Sequence, residues 1–282
     1  LDKLAIHKLI ADYLLEDVGD GDHTSLSTIA AGTQGKAKLL VKEDGILAGV
    51  DVALQIFNVV DAHLTIEVFL TDGTPIKKGD IALTVTGSTH SILKAERLVL
   101  NCMQRMSAIA TQTHQIVELL KGTQTQILDT RKTTPGFRYF EKLAVKIGGG
   151  VNHRFGLYDM ILIKDNHVDY SGGISNAINN AKQYLLTNNK QLDIEIEVRN
   201  FTELNEAIKT GGVQRIMLDN FSTTDLKKAV DMIGNQFTTE ASGGITIDNV
   251  RAYAECGVNY ISIGALTHSV KSLDLSLKAV ND

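Results

Sequence analysis

The chain has 282 residues, enough for one large domain or two ordinary ones, and its 43% hydrophobic and 22% charged content supports a full core. A net charge of -5 argues against bulk nucleic-acid or membrane-surface binding. No apolar run approaches the roughly 18 residues of a transmembrane helix.

The first residues, Leu1-Asp-Lys-Leu4, lack the apolar core of a signal peptide and do not begin with Met, so residues missing from this end are expected. Leu4, Ile6, Leu9, Ile10, Tyr13 and Leu14 recur with helical spacing, which predicts a helix over 4–15. The stretch Glu16-Asp-Val-Gly-Asp-Gly-Asp-His-Thr24 is rich in acids but lacks EF-hand spacing and its terminal Glu, so it reads as a polar loop. Strands are expected at 36–42 and 46–50, with Glu43-Asp44-Gly45 between them as a hairpin signal. A helix over 51–60 and strands at 64–70 and 81–86 complete a small α+β region. A long helical pattern then covers 88–120, with a break possible at Ser107 or Ala108. Cys102 and Cys256 stand in apolar surroundings and are expected as buried free thiols, which fits a reducing cytoplasm.

From residue 126 the chain alternates. Short strands recur at 126–128, 160–163, 193–198, 215–218, 237–240 and 260–263, with helical stretches at 138–147, 173–187, 202–210, 222–234 and 246–255. This is βαβ order and predicts a parallel sheet. Each strand ends in polar or glycine-rich residues: Asp129-Thr-Arg-Lys132, Lys164-Asp-Asn-His167, Glu197 with Arg199-Asn200, Asp219-Asn220, Ala241-Ser-Gly-Gly244 and Gly264-Ala-Leu-Thr-His268. In a (β/α) barrel such ends meet at one mouth, where active sites lie. Six strands rather than eight leave the barrel incomplete.

The mouth divides by charge. From Arg131 to Lys164 seven Lys or Arg stand against two acids, on a chain that is acidic as a whole. Arg131, Lys132, His153, Arg154 and Lys164 thus suggest a focused pocket for carboxylates or phosphates. Glu195 and Glu197 alternate on one strand and share a face. Glu197 and Asp219 suit a divalent cation or a developing positive charge. Ser242-Gly-Gly-Ile245 and Ile263-Gly-Ala265 are loops whose backbone can approach a phosphate, with His268 as a further donor. No nucleophile triad, zinc constellation or dinucleotide fingerprint is present, and Gly148-Gly-Gly150 follows a helix rather than a strand.

Taken together, Asp129-Thr-Arg-Lys-Thr-Thr-Pro-Gly136, Glu141-Lys-Leu-Ala-Val-Lys146, Gly148-Gly-Gly-Val-Asn-His-Arg154, Asp159-Met-Ile-Leu-Ile-Lys-Asp-Asn-His167 and Ala241-Ser-Gly-Gly-Ile245 resemble the quinolinate phosphoribosyltransferase family. The resemblance runs from Glu16 to Gly264. It implies an α/β protein with an N-terminal α/β sandwich domain over 1–106 and a C-terminal open (β/α) barrel-like domain over 107–268, with 269–282 packing back on the first domain. It implies transfer of phosphoribose from phosphoribosyl pyrophosphate (PRPP) to quinolinate with decarboxylation, a step in NAD biosynthesis. The expected partners are those two substrates and a second copy of the chain in a cytoplasmic homodimer or hexamer.

Position by position, the resemblance implies that Arg131, Arg154 and Lys164 clamp quinolinate, with His153 and Thr130 beside them. Arg97, in Ala95-Glu-Arg97, matches an arginine that reaches in from the neighbouring subunit. Lys132 is expected on the PRPP phosphates, and Glu197 and Asp219 on the ribose and on Mg2+, directly or through water; these three are the expected catalytic residues. Ser242, Gly243, Gly244, Ile263, Gly264, Ala265 and His268 would hold the 5′-phosphate. Two alternatives stand beside this reading: a paralogue of the same fold associated with molybdenum transport loci, and a non-catalytic phosphate-sensing barrel.

Overall fold

The computed structural model describes residues 3–280, so the outermost residues of the expected N-terminal domain and of the 269–282 segment, 1–2 and 281–282, lie outside the described residues. In chain order the elements are α1 (Lys3–Val18), α2 (His23–Thr28), β1 (Gln34–Val41), β2 (Gly45–Ile46), α3 (Val50–Val60), β3 (Thr65–Val68), β4 (Pro75–Ile76), β5 (Ile81–Ser88) and α4 (Thr89–Leu119). There follow β6 (Gln126–Leu128), α5 (Arg138–Ile147), β7 (Ile161–Ile163), α6 (Asp165–Ser171), α7 (Ile174–Thr187), β8 (Ile194–Val198) and α8 (Phe201–Thr210). The last are β9 (Arg215–Asp219), α9 (Thr223–Ile233), β10 (Thr238–Ser242), α10 (Val250–Ala254), β11 (Tyr260–Ser262), α11 (Ala265–His268) and β12 (Leu275–Ala279). No helix among the described residues is long and apolar enough to cross a membrane.

Two compact units form. One comprises Leu1–His114, Thr133–Gly149 and Ser269–Asp282; the other comprises Gln115–Lys132 and Gly150–His268. The sequence reading divides the chain at 106/107, whereas the units divide after His114, inside α4, and place 133–149 with the first unit. The reason for the last point is local. Glu141 of α5 is fully buried, with Oε1 2.9 Å from Arg105 Nη2 of α4. Phe140 is fully buried, and its ring lies 6.2 Å from that of Tyr13 in α1.

The first unit is built on an antiparallel sheet of order β12-β1-β5-β3. Alternation in β1 sends Ala37, Leu39 and Val41 inward, where they lie among the core residues with Leu83 and Val85 of β5 and Phe57 of α3. The hairpin expected between 36–42 and 46–50 does not form. Both edges of β1 are taken, by β5 (Leu39 opposite Leu83) and by β12 (Leu39 opposite Leu277). The second run shrinks to β2, which pairs instead with β4. The polar loop at 16–24 ends in α2, capped by Asp22 accepting from the Ser25 amide. Helix α4 runs unbroken through Ser107, whose hydroxyl accepts from the Ala48 amide at 2.9 Å.

The second unit is a six-stranded sheet of order β6-β11-β10-β9-β8-β7, and every pair in it is parallel. Strands β6 and β7 are successive in the chain yet stand at opposite edges, so the barrel is open between them. Strand β8 is buried along its whole length. Its Ile194, Ile196 and Val198 face one side, and Glu195 and Glu197 the other.

Candidate active site

All six strands run the same way, so their C-terminal ends meet at one end of the sheet. A cavity of about 730 Å³ opens there. Fifteen of the sixteen expected site residues line it: Thr130, Arg131 and Lys132 after β6; His153, Arg154 and Lys164 around β7; Glu197 and Asp219 ending β8 and β9; Ser242, Gly243 and Gly244 after β10; and Ile263, Gly264, Ala265 and His268 after β11. The sixteenth, Arg97, is exposed on α4 in the first unit and is not among the lining residues.

The cationic side is tied together by Asp129, which is fully buried at the end of β6. Its carboxylate accepts from the His153 amide at 2.8 Å and from Asn152 Nδ2 at 2.5 Å. Val151 adds a bridge to Leu128, so the segment carrying His153 and Arg154 extends the sheet edge. Arg154 donates to the Met160 carbonyl at 3.2 Å. Burial, and then the neighbouring Arg131, push the Arg154 guanidinium below its ordinary value. Two arginines held this close favour an anion between them.

Across the cavity, Lys164 Nζ lies 3.6 Å from Glu197 Oε2. Burial raises the Glu197 carboxyl, opposed by Lys164 and reinforced by Asp219. The mutual repulsion of Glu197 and Asp219 is what a cation would relieve. Mg2+ commonly takes one or two protein carboxylates and completes its shell with water and substrate oxygens, so this pair fits it. Asn220 holds Asp219 from the side, its Nδ2 donating to Oδ2 at 2.6 Å.

The glycine side is shaped by close approach. Gly243 has φ +93, and a Cβ there would collide with the Asn220 side chain and lie 2.9 Å from the Asn220 amide nitrogen. Gly244 follows at φ +63. A glycine turn lets successive backbone N–H groups line a concavity suited to phosphate. At Gly264 a Cβ would come within 2.9 Å of Lys132 Cδ and 3.1 Å of the His268 ring. Gly243→Ala is therefore expected to destabilise the protein by about 1–3 kcal/mol and to weaken phosphate binding. Thermal melts with and without ribose 5-phosphate check it; an unchanged melting point and an unchanged ribose 5-phosphate shift would contradict it.

The floor of the cavity holds a cluster that sequence reasoning found only in part. Glu240, inside β10, and Glu195 are both fully buried. His153 Nε2 lies 2.9 Å from Glu195 Oε2 and 3.5 Å from Glu240 Oε2. Arg215 Nη1 is 2.8 Å from Glu240 Oε2 and 3.9 Å from Glu195 Oε2, with its guanidinium 4.6 Å above the Tyr260 ring. His153, Glu195 and Glu240 are close enough to ligate a metal, but the guanidinium already supplies the positive charge there. Burial drives both carboxyls above their ordinary value; Glu195 drives Glu240 further, and Arg215 opposes the rise in both. The signal for Glu240 was an acid in a run otherwise suited to a buried strand, Thr238-Thr-Glu-Ala-Ser242.

A parallel α/β sheet with charged and glycine-rich residues gathered at its strand ends defines an enzyme of the (β/α) class. The family model for the quinolinate phosphoribosyl transferase C-terminal domain matches residues 109–278, and that for its N-terminal domain matches 22–107. The chain belongs to the quinolinate phosphoribosyltransferase family. It is 46% identical over 280 residues to quinolinate phosphoribosyltransferase [decarboxylating] 1b of Nicotiana tabacum, covering 94% of this chain and 79% of the relative. To the probable nicotinate-nucleotide pyrophosphorylase [carboxylating] of Bacillus subtilis it is 42% identical, covering 98% of this chain and 94% of the relative. The solved nicotinate-nucleotide pyrophosphorylase of Francisella tularensis superposes with a TM-score of 0.92 at 38% identity, covering 99% of this chain and 98% of that one.

Proposed function

We propose that the chain transfers phosphoribose from PRPP to quinolinate and releases pyrophosphate, CO2 and nicotinate mononucleotide. The observation that carries this is the division of one cavity into a cationic side, a carboxylate pair and a glycine side. Arg131, Arg154 and Lys164 take the two quinolinate carboxylates, with Thr130 and His153 beside them. Guanidinium forks give bidentate recognition, and the lysine adds a point charge. The turns at Ser242–Gly244 and Ile263–Ala265 hold the 5′-phosphate, with His268 as a donor. Glu197 and Asp219 favour the positive charge that develops on the ribose as pyrophosphate departs, while Lys132 takes the charge of the leaving group. Glu197 and Asp219 would hold Mg2+, directly or through water, and the ion would add stabilisation to the departing pyrophosphate. The oriented ring nitrogen is then the nucleophile.

The working unit in this reading is a homodimer in which Arg97 of each chain completes the partner's site. Two buried free thiols, Cys102 and Cys256, fit a reducing compartment such as the cytoplasm. The test is to mix protein, PRPP, quinolinate and Mg2+ and follow CO2. Stoichiometric CO2 and pyrophosphate are expected, and pyrophosphate without CO2, or neither, refutes the reading. Nicotinate, with one carboxylate for three cations, is expected to turn over at least about tenfold more slowly, one lost charged contact being worth a few kcal/mol. Comparable turnover of nicotinate would contradict the clamp.

A further inference from the structure

Loss of CO2 from a quaternised pyridine leaves an electron pair on the ring carbon beside the nitrogen, and that carbon must gain a proton. We propose that Glu240 is the internal acid that supplies it. This inference rests on the transfer and decarboxylation proposed above.

The geometry begins with His153. Its Nδ1 accepts from the Arg154 amide at 2.7 Å, so in the neutral ring the hydrogen sits on Nε2, the atom that faces Glu195 and Glu240. The groups that face Glu240 are then Glu195 from β8, Arg215 from β9, Ser262 from β11 and His153 from the segment after β6. Arg154 and Glu197 act in turn on Glu195. Around Glu240, two fully buried carboxyls share one guanidinium. Two carboxylates against one cation in a water-poor site leave an uncompensated negative charge, and a proton removes it. One of the two carries that proton, and both carboxyls are displaced upward alike.

Position decides which acid acts. Glu240 lines the cavity together with His153 and Arg154, whereas Glu195 does not. Its Oε1, like both carboxylate oxygens of Glu195, is buried and makes no hydrogen bond among the described residues. In the step, the bond from ring carbon to carboxylate breaks and its electron pair stays on the carbon. In the same transition state the Glu240 O–H bond breaks and its proton forms the new C–H bond, so CO2 leaves only as the proton arrives. Glu240 is left as a carboxylate 2.8 Å from Arg215, and the site again holds two carboxylates against one guanidinium, which favours return of the proton. Water restores the proton once the product has left.

The test separates the two chemical steps. Wild-type protein must first release pyrophosphate and CO2 from quinolinate and PRPP; if it does not, the transfer reading fails and not this inference alone. In single turnovers of Glu240→Gln, pyrophosphate release is expected to persist within a few-fold. CO2 release should slow by about 100-fold, the low end for a lost general acid, and a dicarboxylic nucleotide should accumulate. Pyrophosphate and CO2 falling together, or both unchanged, overturns the proposal. Should Glu240→Gln not fold, quenched wild-type turnovers at rising pH decide instead. Glu240 gives up its proton as pH climbs through its raised value, so the same nucleotide should build up on the alkaline side. Its absence up to about pH 9, well above any ordinary glutamate, overturns the assignment.

Discussion

Arg131→Ala is expected to abolish capture of quinolinate while PRPP still binds. Arg131 and Arg154 stand together on the cationic side of the cavity, close enough for one to depress the guanidinium of the other. Removing one leaves a desolvated substrate carboxylate without its fork, a loss of about 2–5 kcal/mol for a truncated charge pair. That is on the order of 30- to 4,000-fold in affinity at 1.4 kcal/mol per decade. PRPP is held across the cavity, at the glycine turns and the Glu197–Asp219 pair, so its affinity should change by little. Calorimetry with each substrate separately reads this directly. An unchanged quinolinate affinity would remove Arg131 from the clamp.

The second large effect concerns Arg97. If it acts in the neighbouring subunit, Arg97→Ala and Arg131→Ala are each inactive alone and should rescue each other when mixed. A two-fold dimer has two composite sites, and a hybrid gathers both defects into one of them and leaves the other intact. Random exchange makes about half of the dimers hybrid, so activity should return to about a quarter of the wild-type level. Exchange can be followed with differently tagged chains. Proven exchange without recovered activity would place Arg97 in its own chain's site or outside the chemistry.

The chain reveals its second unit more readily than its first, for a physical reason. Strands β6 to β11 are short, mostly β-forming runs, each ending in polar or glycine-rich residues, and sequential βα order places all those ends on one side. Local pattern therefore carries nearly the whole cavity lining. In the first unit the pairings are non-local: β1 lies between β5 and β12, and β2 meets β4, so Glu43-Asp44-Gly45 imitates a hairpin that tertiary pairing overrides. Helix α6 was hidden because Lys164-Asp-Asn-His167 reads as a strand end, which it also is. Glu240 was hidden because an acid in a strand acquires meaning only from Glu195, Arg215 and His153, which come from three other places in the chain. For Arg97 the local pattern indicates only an exposed helical position, and the motif resemblance alone marks it out.

The pairing of Ala37–Val41 with Leu275–Ala279 joins segments separated by nearly the whole chain. On a ribosome, β1 and β5 emerge early, but β12 emerges only after every strand of the second unit. Until then β1 is an edge strand with unsatisfied backbone groups, a template for pairing with other nascent chains. The C-terminal strand therefore acts as a completion signal for the first unit's sheet. Deletion of Leu275–Ala279 would spare every group in the cavity, yet leave a protein that aggregates before it can be assayed.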